Sequence, residues 1–490
     1  MPERGLCCSR RHFLASQALG IGGLALSWLL NEERLGGEPP RLEKPTFNLE
    51  PKPPHRQPRA KAMISLWMQG GPSHIDLCDP KPELAKLDGQ KIPGGLPLKG
   101  TYKQREGRVM ASPWKFKKFG QSGIEFSELL PHIGSIADDI TLIRSMYAPT
   151  VNNHVQSIRA FQRADKSNRL GNSDRPSLGS WITYALGSES QNLPAFVAMT
   201  DDTMPIDGLA NWTNGFLPSL YQGTVVRPRE PRIVNLEPPT YLKGEPQEDA
   251  LKFLERLNRR HLSRFPNDYE LEARIATFQL AAKMQLAATE AMDLSSETEE
   301  THRLYGLDDP VTRQYGMNCL LARRLIERGV RFVQIFTGSQ YWDHHSRIIS
   351  DLPKCCRRTD KPAAALVTDL KRRGLLETTI VHWGGEMGRL PVIQGNGTNK
   401  AVVGRDHNVY GFSMWLAGGG FKAGYVHGET DEFGFQAVKD RVGPADYLAT
   451  LACLFGLDAE QVVYNDGFRE NSLMDGQKFR IVSEILKNPA

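Results

Sequence analysis

The feature that most constrains the fold is a unit of helix, glycine and apolar strand that occurs twice in the second half of the chain. Amphipathic spacing predicts helices over 316–328 and 361–373, and a glycine ends each of them. Apolar runs then predict strands at 330–336 and 378–383. Runs that are apolar on consecutive residues are typical of strands covered on both faces. The alternation predicts an α/β fold, a three-layer sandwich with a mostly parallel central sheet and helices on both faces.

The same patterns predict the other elements of this domain, which we expect to span 62–490. Strands are predicted at 62–68, at 140–146 and near 412–417, and helices at 177–186, 247–287 and 446–455. Pro266 and Asn267 mark a break within the longest helix. The stretch from about 201 to 244 is rich in proline, asparagine and glycine, and we expect an irregular insertion there.

The beginning of the chain resembles an export signal. Residues 9–14 read SRRHFL, and residues 15–30 are largely apolar and carry no charge. This stretch is shorter than the roughly 20 residues of an ordinary membrane-spanning helix. No A-x-A cleavage motif precedes Asn31, so both cleavage and retention as a membrane anchor stay open. We expect residues 1–30 to direct export by the twin-arginine route to the periplasm or cell envelope.

Charge and cysteine content narrow the choice of partners. The net charge is +5, and the basic residues are scattered among acids, which excludes a nucleic-acid footprint. Membrane contact is expected only through an uncleaved leader.

Residues 31–61 are proline-rich and polar, and we expect an extended linker or a wrap over the surface. An odd total of seven cysteines excludes a fully paired set, but a disulfide stays open among Cys78, Cys319, Cys355, Cys356 and Cys453.

Carboxylates and histidines follow the predicted strands. They are His74 and Asp76 after the first strand, Asp343, His344 and His345 after 330–336, Glu386 after 378–383, and Asp406 and His407 in a glycine-rich segment. Because the carboxyl ends of parallel strands meet at one edge of a sheet, we expect these side chains to gather there. Such ligands suit zinc, manganese or similar divalent ions, and their number suits two ions about 4 Å apart.

Other polar residues in these segments have structural explanations. Asp79 precedes Pro80 and fits the role of a turn cap, so Asp76 is the preferred ligand of the two. His382 lies inside a predicted strand and is expected to pack in the core. His427 is a weaker ligand candidate.

Four motifs, taken in order, resemble the DUF1501 family of the alkaline phosphatase/sulfatase superfamily. They are GGPSHIDLCDPKP at 70–82, WDHH at 342–345, GGEMGR at 384–389 and GRDHN at 404–408. The resemblance spans roughly 63–457 and implies an alkaline-phosphatase-like sandwich with two divalent ions at the strand ends. It implies that Asp76 and Glu386 hold one ion, while Asp343, His345 and His407 hold the other. His344 stands where relatives commonly have threonine, and it is an additional candidate.

The nucleophile of the superfamily has no unmistakable equivalent here. The resemblance points to the region 144–154, in which Thr150 lies near a predicted helix start and is the best candidate. A helix N-cap is the alternative role for Thr150. His154 would be a neighbouring ligand or acid. Arg389 and Arg405 would either clamp the anion of a substrate or tie loops to carboxylates.

Two functions follow from these motifs. The first is an exported metal-dependent hydrolase of phosphate or sulfate esters, acting on a small anionic ester or on a sulfated or phosphorylated polymer. The ordered ligand series and the two arginines favour it. The second is a metal-binding or scaffold protein of the same fold without turnover, which the missing nucleophile favours.

Overall fold

The computed structural model describes most of the domain predicted from the sequence. The described residues are 47–92, 108–149, 153–165, 175–201, 203–234, 236–237, 241, 244–265, 269–394, 399, 401–466 and 469–488. The leader at 1–30, the first part of the linker and Thr150 lie outside them. The structural statements below concern the described residues.

These residues form sixteen strands, eight of which build the central sheet. In chain order the strands are β1 (Ala62–Trp67), β2 (Phe116–Phe119), β3 (Ile124–Ser127), β4 (Ile140–Met146), β5 (Phe196–Met199), β6 (Thr224–Val226), β7 (Phe332–Phe336), β8 (Thr379–Gly384), β9 (Gly388–Arg389), β10 (His407–Asn408), β11 (Phe412–Ala417), β12 (Tyr425–His427), β13 (Glu429–Thr430), β14 (Ala437–Lys439), β15 (Val463–Asn465) and β16 (Glu470–Ser472). The order in the central sheet is β12-β4-β11-β8-β1-β7-β5-β6.

The central sheet is parallel except at one strand. Strand β11 runs antiparallel to both of its neighbours, β4 and β8, and the other neighbouring pairs are parallel. The carboxyl ends of β1, β4, β7 and β8 therefore lie at the same edge of the sheet. The amino end of β11 lies at that edge too, which brings the segment before it to the same place.

Eleven helices accompany the described strands. They are α1 (His74–Leu77), α2 (Pro82–Lys86), α3 (Pro131–Ser135), α4 (His154–Arg163), α5 (Leu178–Leu186), α6 (Glu245–Arg264), α7 (Tyr269–Met292), α8 (Glu299–Leu304), α9 (Arg313–Glu327), α10 (Ile348–Arg372) and α11 (Pro444–Leu454). Three of these begin at Ser, Thr or Asn side-chain caps, because Asn153 accepts a hydrogen bond from the Gln156 N–H, Ser177 accepts one from the Ser180 N–H and Thr298 accepts one from the Thr301 N–H.

The faces of β1 show how the layers are built. Ile64 and Leu66 belong to one buried apolar cluster, which includes side chains of α9 and α10. Met63 and Trp67 belong to a second cluster, with side chains of α4, α5 and α11. Because successive side chains of a strand point to opposite faces, the sheet is covered by helices on both sides. The predicted three-layer α/β sandwich with a mostly parallel sheet is confirmed.

Most predicted elements are present within a few residues of their expected bounds. The strands predicted at 140–146 and 412–417 are β4 and β11, and the long helix predicted at 247–287 is divided into α6 and α7. Helix α10 is the main difference, because it begins at Ile348, well before the predicted start at 361, and contains Pro353 and Pro362. Strand β6, which was not predicted, lies within 201–244 and forms an edge of the central sheet.

The described half of the predicted linker lies against the domain. Phe47, Leu49 and Ala60 are buried, and the Ala60 N–H donates to the carbonyl of Leu454.

The five cysteines that the structure describes are free thiols, so the disulfide left open above does not form among them. Among the helices of the described ranges, none combines the length and apolar character needed to cross a membrane.

Candidate metal centre

A glycine turn brings three loops together at the edge of the sheet. Gly70 and Gly71 follow β1 with φ angles of +113° and +86°, which glycine adopts without strain. A Cβ atom at Gly70 would lie 2.5 Å from the backbone nitrogen of Asp343. The Gly70 N–H also donates to Glu386 Oε1 at 2.9 Å. The turn therefore fixes the loops that follow β7 and β8 against the end of β1.

Four side chains converge at this edge: His154, Asp343, His345 and His407. One ligand atom from each lies within 4.8 Å of all the others, and among the described residues this is the one group of at least three such donors. His154 is the first residue of α4, Asp343 and His345 follow β7, and His407 begins β10. Three separate parts of the fold thus supply the four residues of the cluster.

The Asp343 carboxylate lies at the centre of the cluster. His154 Nε2 lies 3.2 Å from Asp343 Oδ2, and His345 Nε2 lies 3.0 Å from Asp343 Oδ1. His407 Nε2 lies 3.4 Å from Oδ1 and 3.0 Å from His345 Nε2. Arg389 Nη2 donates to Oδ1 at 2.5 Å. The imidazoles of His154, His345 and His407 therefore each direct their Nε2 atom toward the carboxylate of Asp343.

These residues fit a divalent cation. The close approach of the His345 and His407 nitrogens brings two potential lone pairs together, an arrangement that a shared cation satisfies. In two of the histidines the ring nitrogen that faces away from Asp343 also has a partner. His154 Nδ1 lies 2.7 Å from Glu386 Oε1, and His345 Nδ1 lies 2.5 Å from Gln394 Oε1. Partners of this kind orient metal-ligating histidines in proteins. Imidazole and carboxylate donors suit zinc or manganese.

Charge in the cluster is arranged around an ionised Asp343. Burial would raise the pKa of Asp343, but hydrogen bonds from His154, His345 and His407 and the nearby Arg389 hold that pKa well below its usual range. Burial opposes a charged imidazole at His154, yet its contacts with Asp343 and Glu386 outweigh burial and raise its pKa to about 9. A cation that binds here would therefore displace a proton from His154.

Burial has the opposite outcome at His407. Loss of hydration lowers the pKa of His407, and the contact with Asp343 only partly offsets it. A neutral imidazole is the form that can bind a metal ion. His345 and Asp406 have side chains that are 34% and 24% exposed, so the cluster is open to solvent on their side.

Both arginine candidates are fully buried and bonded to protein groups. Arg389 donates to the carbonyls of Gly70 and Gly71 as well as to Asp343. Arg405 forms a two-point ion pair with Asp76, at 2.8 and 3.0 Å, and donates to two carbonyl groups. Of the two roles considered from the sequence, these contacts are those of residues that tie loops to carboxylates.

The structure places the remaining candidates around the cluster but not in it. Asp76 is fully buried between Arg405 and Ser73. His74 lies against the carbonyl of Gly434, and His344 lies 3.6 Å from the thiol of Cys355. Asp406 accepts the backbone N–H of His407 and lies 3.8 Å from His345.

Glu386 lies directly behind the cluster through its contact with His154. The other oxygen of Glu386, Oε2, is buried without a hydrogen-bond partner among the described groups. His382 is a core residue that lies 3.0 Å from the Ser65 hydroxyl, as expected. His427 is buried in β12, outside the four-residue cluster. Gln394 was missed, because a glutamine in a loop gives no sequence signal for a role beside a histidine.

The comparisons with known proteins agree with the family named from the motifs. The chain matches the family described as "Protein of unknown function (DUF1501)" over residues 60–486. No curated protein matches the sequence. The sheet and the cluster define an α/β protein with a candidate metal centre at the carboxyl edge of its sheet. Since the match spans most of its length, the chain belongs to the DUF1501 family.

Solved structures that match include members of the superfamily the motifs resemble. A protein in the alkaline phosphatase superfamily from Vibrio parahaemolyticus is 11% identical, with 93% of this chain and 78% of that chain covered and a TM-score of 0.36. The PsFucS1 sulfatase from Pseudoalteromonas sp. is 12% identical, with 81% and 68% covered and a TM-score of 0.33. Values this low carry no conclusion about activity, and the architecture described above rests on the strands and helices of this chain.

Proposed function

We propose that this protein is a metal-dependent hydrolase of phosphate or sulfate esters. The observation that carries the proposal is the convergence of His154, Asp343, His345 and His407 within 4.8 Å at the carboxyl edge of the sheet. A divalent ion bound by these residues would neutralise charge on an ester oxygen and lower the pKa of the attacking group. We propose zinc or manganese for this position, and two ions in total if Glu386 contributes its free oxygen.

The chain's own residues hold the candidate metal ligands in place. Arg389 holds Asp343 in place, while Glu386 and Gln394 orient His154 and His345. Substrate would approach from the side on which His345 is exposed. The substrate class we propose is a small anionic ester or a sulfated or phosphorylated polymer, and Thr150 is the proposed nucleophile.

Metal analysis and an ester screen test the proposal together. Purified wild-type protein should contain divalent metal and hydrolyse members of a panel of phosphate and sulfate esters. His345→Gln and Asp343→Asn should lose metal and turnover, whereas His132→Gln, which changes an exposed histidine outside the cluster, should keep both. Thr150→Ala should lower kcat far more than it changes KM if Thr150 attacks the ester. Full activity of Asp343→Asn would overturn the proposal.

A non-catalytic metal-binding or scaffold role is the second candidate. The observation that favours it is the engagement of Arg389 and Arg405, whose buried guanidinium groups are bonded to protein atoms and not free to hold an ester. The screen separates the two functions. Absence of turnover by fully metallated protein that nevertheless binds a sulfated or phosphorylated polymer would favour the scaffold.

We also propose that residues 1–30, which lie outside the described residues, direct export by the twin-arginine route. The SRRHFL motif and the following charge-free stretch motivate this proposal. Replacing both Arg10 and Arg11 by lysine should retain the protein in the cytoplasm in a fractionation experiment. Arg4→Lys, in the same leader but outside the motif, is the control and should be exported. Normal export of the double variant would contradict the proposal.

A further inference from the structure

Helix α6 forms an outer layer with an uncovered face. It packs along α7, and none of its described side chains is buried. Helix α7, in contrast, buries Ala273, Met284, Ala288 and Ala291. The contact with α7 accounts for the half-buried positions of α6, among them Leu254, Asn258 and Leu262. The opposite and lateral faces of α6 remain exposed.

Large apolar side chains occupy one of these exposed faces. Phe253 is 54% exposed, Leu257 is 46% exposed and Phe265, the residue after the helix, is 54% exposed. His261 lies between the last two in sequence, and its ring centroid is 5.0 Å from that of Phe265. The spacing of four residues makes these side chains one continuous ridge along the helix. We call Phe253, Leu257, His261 and Phe265 the α6 ridge.

The apolar ridge is unusual for the surface of this chain. All three exposed phenylalanines among the described residues, Phe253, Phe265 and Phe278, lie on α6, directly after it, or on α7. Exposed apolar residues elsewhere are scattered singly, which is normal for a soluble surface. A concentration of aromatic side chains on one helix face is typical of a surface that another helix covers.

Charge along α6 indicates what covers the ridge. The first turns carry Glu248 and Asp249, which pair with Lys252 of the same helix at 3.6 and 3.9 Å. The last turns carry Arg260 and Arg264, which form no ion pair with the carboxylates that the structure describes. An identical helix laid antiparallel would bring each acidic end against a basic end. The macrodipoles of the two helices would also oppose each other favourably. A parallel arrangement would place like charges together.

We propose that α6 is a dimerisation helix, which pairs antiparallel with α6 of a second copy of this chain about a two-fold axis near Leu257. In that register Leu257 faces Leu257 of the second copy, because a two-fold axis pairs identical patches. Phe253 then faces His261 of the second copy, and Asp249 faces its Phe265, next to its Arg264. One register thus pairs the centre of the α6 ridge with itself and brings opposite charges near each other, and this inference does not depend on the proposed enzymatic function.

Self-crosslinking tests the register. In a chain with Cys7 and Cys8 replaced by serine, Leu257→Cys should form a disulfide-linked dimer on mild oxidation, because symmetry places the two positions side by side. Asp249→Cys is the matched control on the same helix. In the antiparallel register its two copies are about 24 Å apart along the helix axis, so it should remain uncrosslinked. Equal crosslinking at both positions, or none at Leu257→Cys, would overturn the inference.

Sedimentation equilibrium tests the association itself. Wild-type protein should be a dimer, and Leu257→Asp should be a monomer with an unchanged melting temperature. Val438→Asp, which changes an exposed apolar residue on β14, should stay dimeric. Asp249→Arg and Arg264→Glu should each weaken the dimer, and the two together should restore it because opposite charges face each other again. A monomeric wild type, including one that instead binds anionic phospholipid vesicles through α6, would overturn the inference.

Discussion

At the residue scale, Glu386 acts on the candidate metal centre through another side chain. Its carboxylate is fully buried and accepts hydrogen bonds from the Gly70 N–H and from His154. Glu386→Gln keeps the size of the side chain but removes its charge. We expect metal affinity to fall by about 10–100-fold, the usual effect of losing a partner behind a ligand.

A second measurement separates this positioning role from a general loss of structure. In metal-free protein, Glu386→Gln should lower the pKa of His154 from its value of about 9, because one of the two neighbouring carboxylates is gone. NMR titration of the His154 ring measures it. Glu83→Gln, which changes a partly exposed glutamate on α2, is the control. An unchanged metal affinity in Glu386→Gln would contradict the positioning role.

Asp360 gives a residue-scale prediction that is independent of metal. The carboxylate accepts the backbone N–H groups of His132 and Ile133 at the start of α3. Burial nevertheless raises its pKa to about 7, which the two hydrogen bonds oppose. The folded state thus binds this proton more tightly than the unfolded state does. Its contribution to stability is present below about pH 4 and is lost as the pH rises to about 7.

Asp360→Asn should remove this pH dependence. Raising the pKa of Asp360 from its ordinary 3.8 to about 7 corresponds to a free energy on the order of 4 kcal/mol. The stability of the variant relative to wild type should therefore rise between about pH 4 and pH 7 by an amount of that order. Chemical denaturation at several pH values measures it. A difference between the two proteins that does not change with pH would show that Asp360 titrates normally.

At the scale of elements, the turn after β1 couples the fold to the metal centre. Gly70→Ala would place a methyl group 2.5 Å from the backbone nitrogen of Asp343, in a backbone conformation that alanine rarely adopts. We expect a loss of about 1–3 kcal/mol in the free energy of unfolding, together with weaker metal binding because Asp343 is displaced.

A glycine in open space provides the control for this turn. Gly374 also has a positive φ, +72°, but no atom lies within 4 Å of the position that a Cβ would occupy. Gly374→Ala should cost only the backbone strain of about 1–2 kcal/mol and leave metal affinity unchanged. Calorimetric metal titration of both variants decides the point, and equal affinities would mean that the turn does not position Asp343.

Helix α10 shows why an element boundary was misjudged from sequence. Pro362 lies at the start of the predicted helix and Pro353 lies before it, positions at which a helix interior is disfavoured because proline removes a backbone hydrogen bond and clashes with the preceding turn. The structure continues the helix through both prolines and buries Leu352, Cys355 and Cys356 against the sheet. Burial of this apolar face offsets the local cost, a tertiary effect that the local sequence does not report.

At the scale of the whole molecule, metal binding and stability should be linked. The cluster joins residues from α4, β10 and the loop after β7, so it assembles only in the folded chain. An ion that binds only this state stabilises it by about 2.7 kcal/mol when its free concentration is 100 times Kd. A chelator should therefore lower the melting temperature of wild type but not that of Asp343→Asn. A melting temperature indifferent to chelator in metal-loaded wild type would contradict metal binding here.

The succession of the main strands and helices along the chain could be predicted from the residues alone, and so could the edge of the sheet at which the site lies. Helical and apolar periodicities are local, and a run apolar on every residue already implies cover on both faces. The placement of Asp343 and His345 after a predicted strand was sufficient to expect them at the carboxyl edge of the sheet, because the carboxyl ends of parallel strands share one edge. His407 was expected there from its glycine-rich segment.

Which neighbours of these residues share the cluster depends on packing between distant segments. Asp76 and His154 were both candidates, yet Asp76 pairs with Arg405 while His154 enters beside Asp343. A buried carboxylate takes whichever cation the packing brings within reach, because leaving it unpaired costs several kcal/mol. That choice depends on the directions of side chains from distant segments. The common direction of the parallel strands sets the edge of the sheet at which these side chains meet, and three-dimensional packing sets which of them form pairs.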